Sequence, residues 1–568
     1  MKEKVLNYFL GIVVVLLIGV FTIFYLKLPN YLTSEFDEGY FYITSVFSNE
    51  VEVYTTPPSL AMEMIHVLLP DIHSHDILSL RQYAFLASSI ALIFFLFSSC
   101  IYMYRRYAER KVYSYLALIA SCLLLSIGAF PTMVINWNTI IYICVTVAFS
   151  LCLLSSIAPN RYIRYSLIVM IGIVALFLFL VNLPACCMLL LLCYLFLILE
   201  SGFDVIKTVS VALFGLLGMA IGLLITHLFI IPIPAIHSFF IDNITNTTVE
   251  GENDAHNIQL VIFVILFAVR NLIITTLLLC GITYICKIIQ RRFAKPLLTI
   301  ATGLVCFFII YKWQAKPQIY AASIIAWFTI MFLVHQVRHK AIEKHELLLV
   351  LFAFCLPIGT VFGTDVDVLR KAVLTSASWG FLLFYLYYLI SPEIRKYSLL
   401  GWIVLGFVIV EPSDFLFAIK QSEASHIEQP TPVSRMNLTD NQKMYYDEVY
   451  DELSNHGYQI RQDTLLGFCF NQMTVVAMGA FPYTNDAQPT DFLRHDLNDL
   501  PAPKYMIFSE WDSITLYNRL LELDWNFPDG YSYYKCVHCA NPELKNKLNH
   551  TQSMIYCRKE EKASSNVL

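Results

Sequence analysis

The feature that most constrains this chain is the regular return of apolar stretches long enough to enter a bilayer. With a window of about 19 residues, they fall near 5–28, 83–104, 112–130, 139–157, 164–181, 185–199, 208–231, 259–286, 297–311, 319–335, 347–362, 372–390 and 398–411. A hydrocarbon core needs about 20 mostly apolar residues per helix, and within it every backbone polar group must be satisfied inside the segment. The chain is therefore read as an α-helical polytopic membrane protein of about thirteen spans. Its 568 residues agree, being 57% apolar and only 14% charged, against about 25% charged in soluble proteins. The first stretch follows Lys2 and Lys4 and ends without a small-residue cleavage pattern, so it reads as a retained helix.

Positive residues set the orientation, because Lys and Arg in short loops resist translocation. Clusters at Arg105, Arg106, Arg110 and Lys111, at Arg161 and Arg164, at Lys287, Arg291, Arg292 and Lys295, at Arg338, Lys340 and Lys344, and at Arg395 and Lys396 all fall in loops of one parity, with Lys207. The opposite loops hold only Arg81, Lys312, Lys316, Arg370 and Lys371. This places the N-terminus in the cytoplasm. The loops 29–82, 232–258, 312–318 and 363–371 and the tail then share the extracytoplasmic side. The parity depends on Asn182-Leu183-Pro184 being a turn between two helices, since a single kinked helix would invert everything downstream.

Two domains are expected: a membrane domain over 1–411 with a long first outer loop at 29–82, and an extracytoplasmic soluble domain over 412–568. The tail reads as α/β or α+β, with a helix at 439–456 and strand-like runs at Met473–Met478, Tyr505–Phe508 and Met554–Tyr556. Cys469, Cys536, Cys539 and Cys557 form an even set in an oxidising compartment, which favours disulfides over a zinc site on Cys536-Val537-His538-Cys539 with Cys557. The net charge of −5 and the scattered Lys and Arg exclude the basic stripe that a nucleic-acid partner requires.

The first outer loop is about 54 residues long, far beyond an ordinary helix connection, and should have structure and work of its own. Its apolar run from Leu60 to Leu69, interrupted by Glu63 and His66, is too short to span and reads as an interfacial helix. His66, His73, His75 and Asp76 have metal-like spacing without an evident partner set. Just past the first span stands Glu35-Phe36-Asp37-Glu38-Gly39. A carboxylate there can take the proton that an attacking acceptor hydroxyl must lose.

An acidic pair after the first helix, a long first outer loop, many spans and a C-terminal outer domain resemble the GT-C superfamily of membrane glycosyltransferases, which use polyprenyl-phosphate sugars. The local motif is Phe36-Asp37-Glu38-Gly39. The resemblance implies that an acid at this position is the catalytic base or helps hold a metal, which makes Asp37 the first choice and Glu38 the second. Many members carry another acid in the second outer loop. Here that loop reads Phe130-Pro131-Thr132-Met133-Val134-Ile135-Asn136-Trp137-Asn138, which puts a metal-dependent mechanism in doubt. No metal ligand is assigned, although a divalent cation is not excluded.

Asn136 and Asn138 can bind sugar hydroxyls, and Trp137 can stack on a pyranose or anchor the helix at the interface. The few outer cations, Arg81, Lys312, Lys316, Arg370 and Lys371, are candidates for a phosphate clamp, with Trp313 between two of them. Arg270 lies deep in an apolar span, where a cation costs about 2.5–3.5 kcal/mol to insert and calls for a functional partner. The expected function is sugar transfer from a polyprenyl-phosphate donor to an extracytoplasmic glycan, lipid or protein acceptor, as in building a cell-envelope glycan. A transporter or flippase for lipid-linked oligosaccharide and a membrane-anchored glycan-binding module are the alternatives.

Overall fold

The computed structural model describes residues 76–109, 112–127, 137–202, 204–234, 236–237, 343–361, 375–389, 425–468, 471–484, 500–538 and 552–559, with isolated positions within 12–26, 42–47 and 329–333. Eight apolar helices come first in this set: α1 Ile77–Tyr107, α2 Val112–Ile127, α3 Trp137–Ser156, α4 Arg161–Val181, α5 Leu183–Glu200, α6 Val205–Phe229, α7 Lys344–Val361 and α8 Ser376–Leu389. Each coincides with one of the expected segments. Four stretches among the described residues, Ile77–Tyr107, Asn138–Ser156, Arg161–Val181 and Val205–Phe229, are long and apolar enough to cross a membrane. The segments 259–286, 297–311 and 398–411, and most of 5–28 and 319–335, lie outside the described residues, and the count of thirteen is not tested.

Asn182 makes the turn on which the parity depends. It is extended, at φ −155° and ψ 97°, and closes α4 while its side chain accepts from Ala185 N to open α5, with Pro184 in the first turn of α5. The two helices then run antiparallel. Near the turn Cys186 Sγ donates to Ala175 O at 3.1 Å, and at the far end Arg164 Nη2 donates to Leu197 O at 3.2 Å. This is a helical hairpin and not one kinked rod.

Helix ends that the charge pattern assigns to one side do meet. At the end of α1, Arg106 reaches His345 at the start of α7 and lies 3.7 Å from Glu343. Tyr107 donates to Glu346 at 3.1 Å and shares a hydrogen bond with Tyr385 in the last part of α8. Between the helices, Phe95, Phe149, Phe196, Phe352 and Phe381 form a continuous aromatic core. α4 and α6 cross at a glycine seam: a Cβ on Gly172 would run into Gly215 O, and one on Gly218 into Val169 O. Small residues let helix backbones approach this closely.

The C-terminal part holds a five-stranded mixed sheet in the order β2-β1-β3-β5-β4. Its strands are β1 Thr464–Gly467, β2 Phe481–Pro482, β3 Tyr505–Ser509, β4 Tyr531–Lys535 and β5 Ser553–Arg558. β1 is parallel to β2 and β3, while β5 is antiparallel to β3 and β4. Helix α9, Asp440–Asn455, opens with a capping box between Thr439 and Gln442, as the expected helix at 439–456 requires. It covers the face that carries Ser532 and Tyr534, which bond His456 and Glu448. Side chains alternate along a strand, so Tyr531 faces the other way and joins Leu466, Met506, Phe508 and Tyr556 beneath Leu516 and Leu520 of α11, Glu510–Glu522.

Met473–Met478 corrects the sequence reading. Gln472–Ala477 is a helix, α10, and all six of its residues are buried. A short apolar run enclosed on all sides lacks the polar stripe that separates a helical from an extended pattern. It stops at Gly479, whose φ of +64° is a left-handed conformation that glycine adopts at little cost.

Candidate functional site

The chain divides into two compact units, and the described residues of the first loop fall in the same unit as those of the C-terminal part. Within this unit the described loop residues make specific contacts with the C-terminal domain. Tyr42, Ile43 and Val46 are helical and buried, at 2%, 1% and 0% exposure. Phe47 meets Phe481 of β2 edge to face, with ring centroids 5.7 Å apart. Burial foremost, with the Asp76 charge adding to it and Arg461 opposing, raises the Tyr42 hydroxyl well above the usual phenol range.

The other end of the loop is held by Asp76. Its Oδ1 accepts from Ser79 N at 2.8 Å and so caps α1, while its Oδ2 accepts from Arg435 Nη1 at 3.1 Å. Next to it, Ile77 N donates to Pro432 O at 3.1 Å. An aspartate directly before an apolar run is a readable helix start. Nothing near Asp76 in sequence points to Arg435, which lies 359 positions away.

Of the sequence-predicted residues, Arg81 lies in the first turns of α1, since that helix begins at Ile77 and not beyond Gln82, and it is buried at 1% exposure. Trp137 opens α3, and Asn138 is half-buried in its first turn. Asp37, Glu38, Asn136, Arg270, Lys312, Trp313, Lys316, Arg370 and Lys371 lie outside the described residues, as does the expected interfacial helix at Leu60–Leu69. Among the described residues no three His, Cys, Asp or Glu side chains converge as a metal site.

The C-terminal motif that offered zinc spacing is held by hydrogen bonds. Glu448 of α9 accepts from Val537 N at 2.6 Å, His538 N at 2.9 Å, Tyr534 Oη at 2.9 Å and His538 Nδ1 at 2.8 Å. Burial pushes the Glu448 carboxyl up, but these bonds outweigh it and hold the group below its ordinary value. Cys557 is a free thiol whose pKa burial pushes up to about 12. Cys469 and Cys539 lie outside the described residues.

No family model matches the chain, and no curated protein matches it. Among solved structures, it is similar to the oligosaccharyltransferase of Archaeoglobus fulgidus, in a complex with zinc and sulfate. The identity is 13% and the TM-score 0.45, over 92% of this chain and 72% of that one. It is also similar to ArnT from Cupriavidus metallidurans in the apo state, at 11% identity and TM-score 0.34, over 98% of each chain. At so low an identity and TM-score neither likeness carries an argument about this chain.

Proposed function

We propose that this chain is a polytopic membrane glycosyltransferase that moves a sugar from a polyprenyl-phosphate donor to an extracytoplasmic glycan, lipid or protein acceptor. The observation that carries the reading is the docking of the first loop on the C-terminal domain, through Phe47 on Phe481 and Asp76 with Arg435. It supports placing the acidic pair and the tail in one compartment, which the positive-residue pattern makes the outer one. A lipid-linked phosphosugar at the membrane surface is then within reach of a carboxylate tethered just past the first span.

In this reading Asp37 removes the proton from the acceptor hydroxyl as it attacks the anomeric carbon, and the carrier phosphate departs with the electron pair of the broken bond. Glu38 stands beside it as the second acid. Leaving-group charge needs cationic stabilisation, a role assigned to Arg81, Arg270, Lys312, Lys316, Arg370 and Lys371, while Asn136, Trp137, Trp313 and Asn138 are assigned to the sugar. Membrane lipids form the surrounding solvent. The domain limits of 1–411 and 412–568 belong to the same proposal.

Asp37→Asn tests the assignment in proteoliposomes with a defined polyprenyl-phosphate sugar. Removing a general base lowers rates by about 10²–10⁴-fold, so turnover should fall into that range while the protein still inserts and binds donor. Turnover within a few-fold of the unsubstituted protein would remove Asp37 from the mechanism.

A further inference from the structure

Arg106 near the end of α1 and His345 at the start of α7 lie 239 positions apart in sequence and meet side chain to side chain. Arg106 Nε donates to His345 Nε2 at 3.1 Å, and Arg106 Nη2 lies 2.9 Å from Nδ1 of the same ring. A guanidinium carries donors only, so a ring nitrogen facing it can only accept. A neutral imidazole has one accepting nitrogen and an imidazolium has none. Glu343 decides which nitrogen accepts. Its Oε2 stands 3.3 Å from Nδ1, so Nδ1 carries the hydrogen and Nε2 keeps the lone pair that Arg106 uses. The joint as built therefore requires an uncharged ring, on a residue that is only 9% exposed.

We propose that Arg106 and His345 form a proton-released latch between α1 and α7. A proton arriving on His345 takes the lone pair of Nε2, turns the acceptor into a donor and sets an imidazolium against a guanidinium, two like charges that repel. Glu343 draws the other way, lying 3.7 Å from Arg106 as well, but its side chain is 75% exposed, where water screens an ion pair. The other titratable groups at the joint are engaged elsewhere or open to solvent. Glu346 accepts from Tyr107, which also bonds Tyr385 of α8, and Lys344 is exposed. Glu200, at the end of α5, acts on Arg106. An ordinary imidazole titrates at about 6.5, so the latch holds at neutral pH and yields as pH falls below that value. One proton per latch limits the change in the opening equilibrium to about tenfold for each pH unit. The positive-residue pattern puts this joint on the cytoplasmic side, so the signal it reads is acidification of the cytoplasm.

The test is hydrogen exchange of the full-length protein in proteoliposomes at about pH 7.5 and about pH 5.5. Exchange is followed at 103–107 and 345–349 and corrected for the pH dependence of exchange in an unstructured chain. Protection at both stretches should fall about three- to tenfold at the lower pH, while 145–152 of α3 stays unchanged. His345→Gln keeps an acceptor for Arg106 but has no titrating ring, so its protection should be the same at both pH values. Glu343→Gln should keep the fall. Equal protection of the parent at the two pH values would overturn the latch. So would a fall that persists in His345→Gln, because the proton would then belong to Glu200 or Glu346. Should His345→Gln fail to insert, Arg106→Leu carries the same decision: without the guanidinium the ring meets no repulsion, and a pH response that survives would sink the proposal.

Discussion

Glu448 shows how one carboxylate can organise a loop. Four donors converge on it from 534–538, and together they lower its pKa. The unfolded carboxyl titrates at about 4.3. A depressed folded value therefore adds stability that is complete above that pH and is lost as pH falls through the folded value. Glu448→Gln should destabilise the C-terminal domain at neutral pH by about 1–3 kcal/mol. It should also flatten the acid limb of the unfolding midpoint below pH 5, which is read from thermal melts of the full protein across pH. A variant that melts like the parent at every pH would show that the bonds add nothing net. The sequence pointed to Cys536-Val537-His538-Cys539 as a loop of interest but not to its anchor, because Glu448 lies 90 positions before His538 on a helix whose pattern marks only its buried face.

Elements were legible where one local property decides them. Partition into hydrocarbon is such a property, so hydropathy located α1 to α8 to within a few residues, and the capping box at Thr439 located α9. The failures have physical causes. α10 is buried all round, leaving no exposed face to set a period, and α1 extends upstream of its apolar window because Asp76 caps it at a point already docked on the C-terminal domain. The glycine seam gives an element-scale prediction. Leucine at Gly172 or Gly218 would overlap facing backbone, which cannot yield as a side chain can. Each substitution should lower stability by at least about 1–3 kcal/mol, seen as a reduced melting midpoint in detergent. Leu213→Ala, at an exposed position of the same helix, should stay within about 0.5 kcal/mol. Equal midpoints for the three variants would contradict the close crossing.

On the scale of the whole molecule, some described helix ends that the charge pattern expects on one side come together. The positive residues divide the loops by parity, and the structure joins ends of like parity: α1 to α7 and α8 through Arg106, Tyr107 and Tyr385, and α4 to α5 through Arg164. The first loop meets the tail, which is where the same parity puts both. Pairings across hundreds of residues leave no trace in a single sequence, so Arg435 and Phe481 emerge only once the chain is folded. The sequence in turn contributes the acidic pair, which lies outside the described residues. Sidedness is therefore the measurement on which the functional account turns. Cysteine placed at Asp37, and separately at Arg435, is reacted in sealed cells with a membrane-impermeant maleimide, against the labelling of the unsubstituted chain. The account predicts that both positions react before permeabilisation. Reaction at position 37 only after the membrane is opened would contradict it.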